Sequence, residues 1–157
     1  HGVKKIETYV WDLRALLWPG DTLLDAGCGT GEIIPYIPAD VNYFGIDAFV
    51  ANEDQSATRR FRQCDFMELK GQFDVVWASR LVTPLENYDL AIRKLISLSR
   101  RFCVIVVNMG EEKVEEHIIE NVVVRFRTIP EDVLKSYGKC KFNNSATNSY
   151  ACVTYAR

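Results

Sequence analysis

Asp25-Ala-Gly-Cys-Gly-Thr-Gly-Glu32 is the stretch whose reading decides how this chain folds. It overlaps the end of Thr22-Leu-Leu-Asp-Ala26, a short apolar run that reads as a buried strand, and it leads into Glu32-Ile-Ile, which can open a helix. Glycines at 27, 29 and 31 let the backbone turn sharply between the two and approach a ligand with no Cβ in the way. A glycine-rich turn alone is as readily structural as functional. A second marker separates the readings: Asp47 ends the next strand-like run, 20 positions after Gly27, where a carboxylate can accept hydrogen bonds from two ribose hydroxyls. Pro35 is tolerated only near a helix start, so the helix after the loop should be short or irregular.

Upstream, Val3, Ile6, Val10, Leu13 and Leu17 recur at spacings of three and four, the mark of an amphipathic helix, and Pro19-Gly20-Asp21 stops it. Downstream, residues 42–47 read as a second strand, 60–64 as a third, 73–78 as a fourth and 102–108 as a fifth. A second amphipathic helix carries Leu85, Tyr88, Ile92, Leu95 and Ile96 on one face. Strands alternating with helical patterns imply an α/β fold with a doubly wound, mostly parallel sheet. The C-terminal third reads differently. Thr128-Ile-Pro-Glu131 has the form of a capping box, and Gly138 is placed to end the helix it opens. Residues 139–142 and 150–155 are strand candidates on either side of the polar loop 143–149. That loop is too short for a crossover helix, so the pair should form an antiparallel C-terminal hairpin at the edge of a sheet with seven strands in all.

At 157 residues, 48% hydrophobic and 25% charged, with a net charge of −2, the chain has the size and balance of one globular domain spanning 1–157. Apolar runs stop well short of the roughly 18 residues that cross a bilayer, so no membrane contact is expected. The five cysteines are odd in number, form no CxxC pair and do not cluster with the two histidines, which argues against a metal site and a disulfide framework. Cys64, Cys103 and Cys152 sit in apolar runs as small hydrophobes, and a reducing, cytoplasmic location fits them. The first residue is His1 and not Met, which reads as a trimmed end and leaves a preceding segment open.

The segment Asp25–Glu32 resembles motif I of the class I S-adenosylmethionine-dependent methyltransferases, and the order of the later segments is similar to that family's across nearly the whole chain. The resemblance implies S-adenosylmethionine as cofactor. On that pattern Gly27, Gly29 and Gly31 pack against its methionine part, Asp47 holds the ribose, and Asp65 with Phe66 meets the adenine. Asp25 and Cys28 within the motif, Ala48 after Asp47 and Ala78 at the end of the fourth strand complete the expected cofactor contacts. An Asp at a strand end is also a common turn former or helix cap, which keeps the bland reading of Asp65 open. The family's antiparallel seventh strand corresponds to the terminal hairpin.

A nicotinamide or flavin enzyme is the rival reading, and it expects G-x-G-x-x-G. Here the spacing is G-x-G-x-G followed by Glu32. A carboxylate there repels a pyrophosphate, whereas S-adenosylmethionine carries no phosphate and has a sulfonium cation.

The acceptor is less legible. Methyl transfer asks little beyond holding the acceptor in line, and no general base stands out. After the fourth strand the chain reads Ala78-Ser-Arg-Leu81, neither the N/D-P-P-Y of exocyclic amine methylation nor a Pro-Cys nucleophile. His1 is terminal, and His117 reads as a solvated residue in a charged helical stretch. Arg59, Arg60, Arg62, Arg100 and Arg101 come before strands three and five, away from the carboxyl ends where ligands bind, while Glu68, Glu86, Glu111 and Glu112 follow strands against Arg80 and Lys113. This neutral-to-acidic face favours a small molecule or a protein over nucleic acid. An RNA methyltransferase and a catalytically silent cofactor-binding subunit are the alternatives. With about 20 residues before the first strand and no sizeable insertion later, the site should be open, or closed by the N-terminal helix, a lost segment, a partner subunit or another copy.

Overall fold

A computed structural model describes residues 2–52, 55–144 and 150–157. In chain order the elements are α1 (Gly2–Leu16), β1 (Thr22–Ala26), a 3₁₀ turn (Ile34–Tyr36), β2 (Asn42–Asp47), β3 (Arg59–Gln63), a second 3₁₀ turn (Phe66–Glu68), β4 (Phe73–Ser79), α2 (Tyr88–Ser97), β5 (Ser99–Asn108), β6 (Lys113–Ile119), β7 (Val122–Thr128), α3 (Glu131–Lys135), β8 (Cys140–Asn144) and β9 (Tyr150–Ala156). Seven strands form one sheet in the order β3-β2-β1-β4-β5-β9-β8. β1 to β5 are parallel, and β9 runs antiparallel between β5 and β8.

Parallel strands buried on both faces are apolar almost throughout. In β4, Val75 and Trp77 face one side and join Tyr9, Val10 and Leu13 of α1, while Val76 and Ala78 face the other and join Ala91, Ile92 and Leu95 of α2. The helices thus cover opposite faces. The side chains of Val3 and Ile6 lie outside the described ones, as do residues 145–149 of the expected polar loop. Pro35 has the anticipated effect: the chain after the glycine loop makes only a 3₁₀ turn, with Pro35 in its first positions.

The main departure from expectation is residues 109–128. The stretch around His117 is strand, not helix: β6 and β7 pair in a separate antiparallel hairpin, from Lys113↔Thr128 to Ile119↔Val122. Its tight turn is Glu120-Asn121, both at positive φ (51° and 65°). This is an insertion after β5, contrary to the expectation that none separates the later elements. The capping box does not form either. Thr128 ends β7 and is buried, and the five-residue α3 begins after Pro130 with no side-chain cap. Tertiary pairing of β7 outcompetes the local cap.

The basic clusters are not loop residues. Arg59, Arg60 and Arg62 lie within β3, with Arg62 paired to Ile46, one residue short of the carboxyl end of β2. Arg59 donates to the carbonyls of Val41, Thr58, Ile37 and Pro38. Arg101 holds both oxygens of Asp21 at 2.9 and 2.7 Å, donates to Leu16 O and lies 3.7 Å over the Trp18 ring. That guanidinium holds Asp21 below the usual carboxylate range. It also ties the end of α1 to the amino end of β5, opposite the glycine loop.

Candidate functional site

Strand order reverses between β1 and β4, and in open parallel sheets the ligand crevice opens at the carboxyl ends of the strands flanking such a reversal. The glycine loop sits there. Its entry is fixed by β2, whose Ile46 carbonyl accepts from Gly27 N at 2.8 Å and Cys28 N at 2.9 Å. Its tip is fixed by Asp47, whose Oδ2 accepts from Gly29 N at 3.0 Å, while Oδ1 accepts from Phe49 N and Val50 N at 2.8 and 3.0 Å. Asp47 therefore ties its own loop to the glycine loop across the crevice. Gly27, Gly29 and Gly31 all have positive φ, which glycine adopts without steric cost.

Two cavities meet at Gly27. One, of about 190 Å³, is lined by Ile46, Asp47, Ala48, Phe49, Cys64, Asp65, Phe66, Leu81 and Leu85. The other, of about 170 Å³, is lined by Asp25, Cys28, Gly29, Glu32, Ile33, Trp77, Ser79 and Arg80. The first is largely apolar with carboxylates at its rim. The second carries two carboxyls and a guanidinium.

Asp25 is buried, and its Oδ2 accepts from the Tyr43 hydroxyl at 2.6 Å. Burial, with smaller contributions from the charges of Glu32 and Asp47, pushes its carboxyl up to about 7 against the opposing pull of that bond. Burial also pushes the Cys28 thiol up to about 12, so it stays protonated and is no nucleophile. Asp65 accepts from Met67 N at 3.0 Å and caps the second 3₁₀ turn, so the helix-cap reading of this residue holds while it also lines the apolar cavity.

Of the expected cofactor contacts, Asp25, Gly27, Cys28, Gly29, Asp47, Ala48, Asp65 and Phe66 line the two cavities. Gly31 and Ala78 line neither. Ala78 is wholly buried in the core beside α2. Gly31 is buried, and a Cβ there would meet Ile34 Cδ1 at 2.7 Å and the Phe61 ring at 3.2 Å. At Gly29 a Cβ would meet nothing within 4 Å, so this glycine borders open space.

The sequence profile of a methyltransferase-domain family matches residues 24–101, about half of the chain. The chain belongs to the class I S-adenosylmethionine-dependent methyltransferases. No curated protein sequence matches it significantly. Among solved structures, it is similar to magnesium protoporphyrin IX methyltransferase from Synechocystis PCC 6803 with bound S-adenosylmethionine, at 18% identity and TM-score 0.65, over 99% of this chain and 78% of that one. It is also similar to 1,6-didemethyltoxoflavin-N1-methyltransferase from Burkholderia thailandensis, at 16% identity and TM-score 0.67, over 99% and 86% of the two chains. A third is the glycopeptide N-methyltransferase MtfA complexed with S-adenosylmethionine, at 13% identity and TM-score 0.68, over 99% and 94%. At these identities the likeness is one of fold.

In this methyltransferase the stretch from Ser79 to Leu85 serves both cavities, Ser79 and Arg80 on the polar side and Leu81 and Leu85 on the apolar side. Arg80 has φ 56°, costly for a residue with a Cβ, and its N–H donates to Val106 O at 2.9 Å. The sequence reading passed over Arg80, Phe49 and Tyr43 as site residues. Arg80 and Phe49 each follow a strand at its carboxyl end, a positional signal that was available; nothing local marks Tyr43. Among the described residues no group of His, Cys, Asp and Glu could hold a metal ion, and no helix is long and apolar enough to cross a membrane.

Proposed function

We propose that residues 1–157 act as one domain that holds S-adenosylmethionine astride the glycine loop and methylates a small polar molecule. The observation that carries this reading is the pair of cavities meeting at Gly27, one apolar and one charged, which matches a cofactor with a nucleoside at one end and a zwitterionic amino acid at the other. Asp47 would hold the ribose, Ala48, Asp65 and Phe66 the adenine, Gly27 and Gly29 the span between, and Asp25 the methionine end, with Cys28 packing beneath it. Arg80 is suited to the cofactor's carboxylate. The bound cofactor supplies a methyl group already activated on a sulfonium, so the protein's task is orientation.

Two observations support a small polar acceptor. Ser79 Oγ, Thr83 Oγ1, Asn108 Oδ1 and Arg127 Nε are buried with no hydrogen-bond partner among the described residues. They belong to the carboxyl ends of β4 and β5, to the loop after β4 and to the base of the β6–β7 hairpin, where Arg127 N donates to Thr83 O at 2.9 Å. Each such group costs about 1–3 kcal/mol unless something satisfies it. The hairpin's base, where Arg127 meets Thr83, adds chain at that end of the sheet from which a concave acceptor site would be built. Against nucleic acid stands the employment of the basic clusters: Arg59 binds carbonyls, Arg100 pairs with Asp74 and Arg101 with Asp21. Three of the five arginines are thus engaged within the fold, while Arg60 and Arg62 stay exposed on β3, too few to follow a phosphate backbone.

The hairpin tip, with Ile118, Ile119, Val122 and Val123 all exposed, and Phe49 at the mouth of the apolar cavity are the surfaces on which a partner subunit or second copy would close the site. The five free cysteines suit a cytoplasmic location. The test is transfer of labelled methyl from S-adenosylmethionine to fractionated small molecules, protein and RNA at two salt concentrations. Label in the small-molecule fraction, insensitive to salt, is expected. Label mainly in RNA, falling steeply with salt, would replace this reading with that of an RNA methyltransferase.

A further inference from the structure

Tyr43 is a buried tyrosine near the amino end of β2, paired in register with Leu23 and not with Asp25, whose register partner is Gly45. Its hydroxyl nevertheless reaches Asp25 Oδ2 because Gly45 has no side chain. A Cβ at Gly45 would lie 2.8 Å from Tyr43 Oη, 2.9 Å from Tyr43 Cε1 and 3.0 Å from Cys28 Sγ. The ring lies along the strand over Gly45, braced edge-on by Phe61 at 5.6 Å. Asp25 of β1 and the pair Tyr43 and Gly45 of β2 thus form one device. Asp25 Oδ1 has no hydrogen-bond partner among the described residues, and Asp25 lines the polar cavity. Burial and the neighbouring Asp25 push the Tyr43 hydroxyl far above its ordinary value, so it is a permanent donor.

We propose that Tyr43 is a positioning residue for the cofactor: its hydroxyl pins Asp25 Oδ2 and presents Oδ1 in the polar cavity to the ammonium of the methionine end of S-adenosylmethionine. The inference rests on the placement of that end proposed above. It has a proton-linked consequence. The groups around Asp25 are Tyr43 from β2, Asp47 at the end of β2, Cys28 and Glu32 from the glycine loop, and Arg80 after β4. With its carboxyl raised to about 7, Asp25 is largely protonated in the free protein at pH 6. An incoming ammonium stabilises the carboxylate, so cofactor binding expels a proton, and affinity rises from acid pH toward pH 7.5. Removing the Tyr43 donor destabilises the carboxylate and moves that rise to higher pH.

The experiment is isothermal titration of the full chain, wild type, Tyr43→Phe and Asp25→Asn, between pH 5.5 and 7.5 in buffers of differing ionisation enthalpy. Two ligands are used: S-adenosylhomocysteine, which keeps the amino-acid end, and 5′-methylthioadenosine, which lacks it. For wild type, S-adenosylhomocysteine should bind with proton release that is larger at pH 6 than at pH 7.5. Tyr43→Phe should weaken it roughly tenfold at pH 7, the scale of one hydrogen bond to a charged group, with the affinity rise displaced to higher pH. Asp25→Asn should weaken it with no proton release at any pH. 5′-Methylthioadenosine should bind all three proteins alike and without proton release. Equal weakening of both ligands by Tyr43→Phe would mean general damage to the loop and overturn the proposal, as would wild-type binding of S-adenosylhomocysteine without proton release. Failure of both ligands to bind wild type would instead remove the proposed cofactor placement itself.

Discussion

Replacing Asp47 separates two roles that one carboxylate combines. In the free protein Asp47 accepts three backbone N–H groups, from Gly29 at 3.0 Å, Phe49 at 2.8 Å and Val50 at 3.0 Å, and these are what tie the glycine loop to the loop after β2. A residue that served only the ribose could be removed without affecting the free fold; this one cannot. The sites are partly solvated, so each bond is worth less than a buried charged one. Taking roughly 0.5–1 kcal/mol for each, Asp47→Ala should cost about 2 kcal/mol, a fall in melting temperature of about 4–8 °C for a domain of this size. Asp47→Asn is the finer probe. Its amide oxygen can keep Phe49 and Val50, but its NH₂ then faces Gly29 N–H, donor against donor, so only the tether to the glycine loop is lost. It should cost about 1 kcal/mol. Thermal melts by circular dichroism without ligand measure these values, and titration with S-adenosylhomocysteine measures the second role. Both variants should weaken that ligand by roughly 1.5–3 kcal/mol if the ribose hydroxyls donate to this carboxylate. An Asp47→Ala protein that melts with wild type refutes the tether. One that binds the ligand with wild-type affinity refutes the ribose contact.

Gly31→Ala should lower stability by about 1–3 kcal/mol in chemical denaturation, since its φ is +84° and its Cβ would meet Ile34 at 2.7 Å; Gly29→Ala, at φ +54° beside open space, should cost about 1 kcal/mol and chiefly lower cofactor affinity. Loss of cofactor binding with Gly31→Ala while stability is untouched would contradict this division. Asp21 is held below the usual carboxylate range by Arg101, so its contribution is present above its unfolded value near 4 and fades as pH falls through the lower folded value. Asp21→Asn should therefore be less stable than wild type at pH 7 with a flatter acid limb in urea titrations from pH 2 to 7, and parallel curves would discount the pair. Replacing 113–127 with a short Gly-Ser link should leave binding of S-adenosylhomocysteine intact and abolish methyl transfer to the acceptor found in the fraction screen. Undiminished transfer would exclude the hairpin from the acceptor site.

What could be read in advance was what the chain specifies locally. β1 and β2 match the bounds expected from their apolar runs, and the positions of Gly27 and Asp47 follow directly from where those runs end. β3 and β5 start one and three residues earlier than their apolar centres indicate, because Arg59 enters the ladder opposite Tyr43, and Arg100 and Arg101 sit in a bulge between the paired Ser99 and Phe102, all three with their charges engaged elsewhere. The β6–β7 hairpin was hidden. Lys113, Glu115, Glu116 and His117 interrupt the alternation of β6, and its turn uses Glu120-Asn121 with no glycine to mark it. The β-branched run Val122-Val-Val124 was the usable signal. Tyr43 and Asp25 could not have been paired from sequence, since their contact crosses a strand pair diagonally and depends on a glycine two positions on. Ala78 lines neither cavity for a related reason. Counting along β4 gives its position at the strand end but not its face, and that face belongs to α2.

The two ends of the sheet treat polar groups differently. At the amino end, Asp74 accepts from Thr22 N and Thr22 Oγ1 and pairs with Arg100, while Asp21 takes both arms of Arg101 and the N–H of Trp18. The carboxylates there are engaged by side chains and backbone of the same fold. At the carboxyl end, Asp25 keeps one oxygen unbonded, Arg80 holds a left-handed backbone, and Ser79, Thr83, Asn108 and Arg127 have polar atoms with no partner among the described residues. Both ends draw on the same strands, so composition does not explain the contrast. Among the described residues Arg101 Nε is the one such atom at the amino end, and marginal stability gives no reason for the other four, at about 1–3 kcal/mol each, to gather at the opposite end. Molecules that bind there and complete those hydrogen bonds do give one, and they recover in binding what the free protein forgoes in stability.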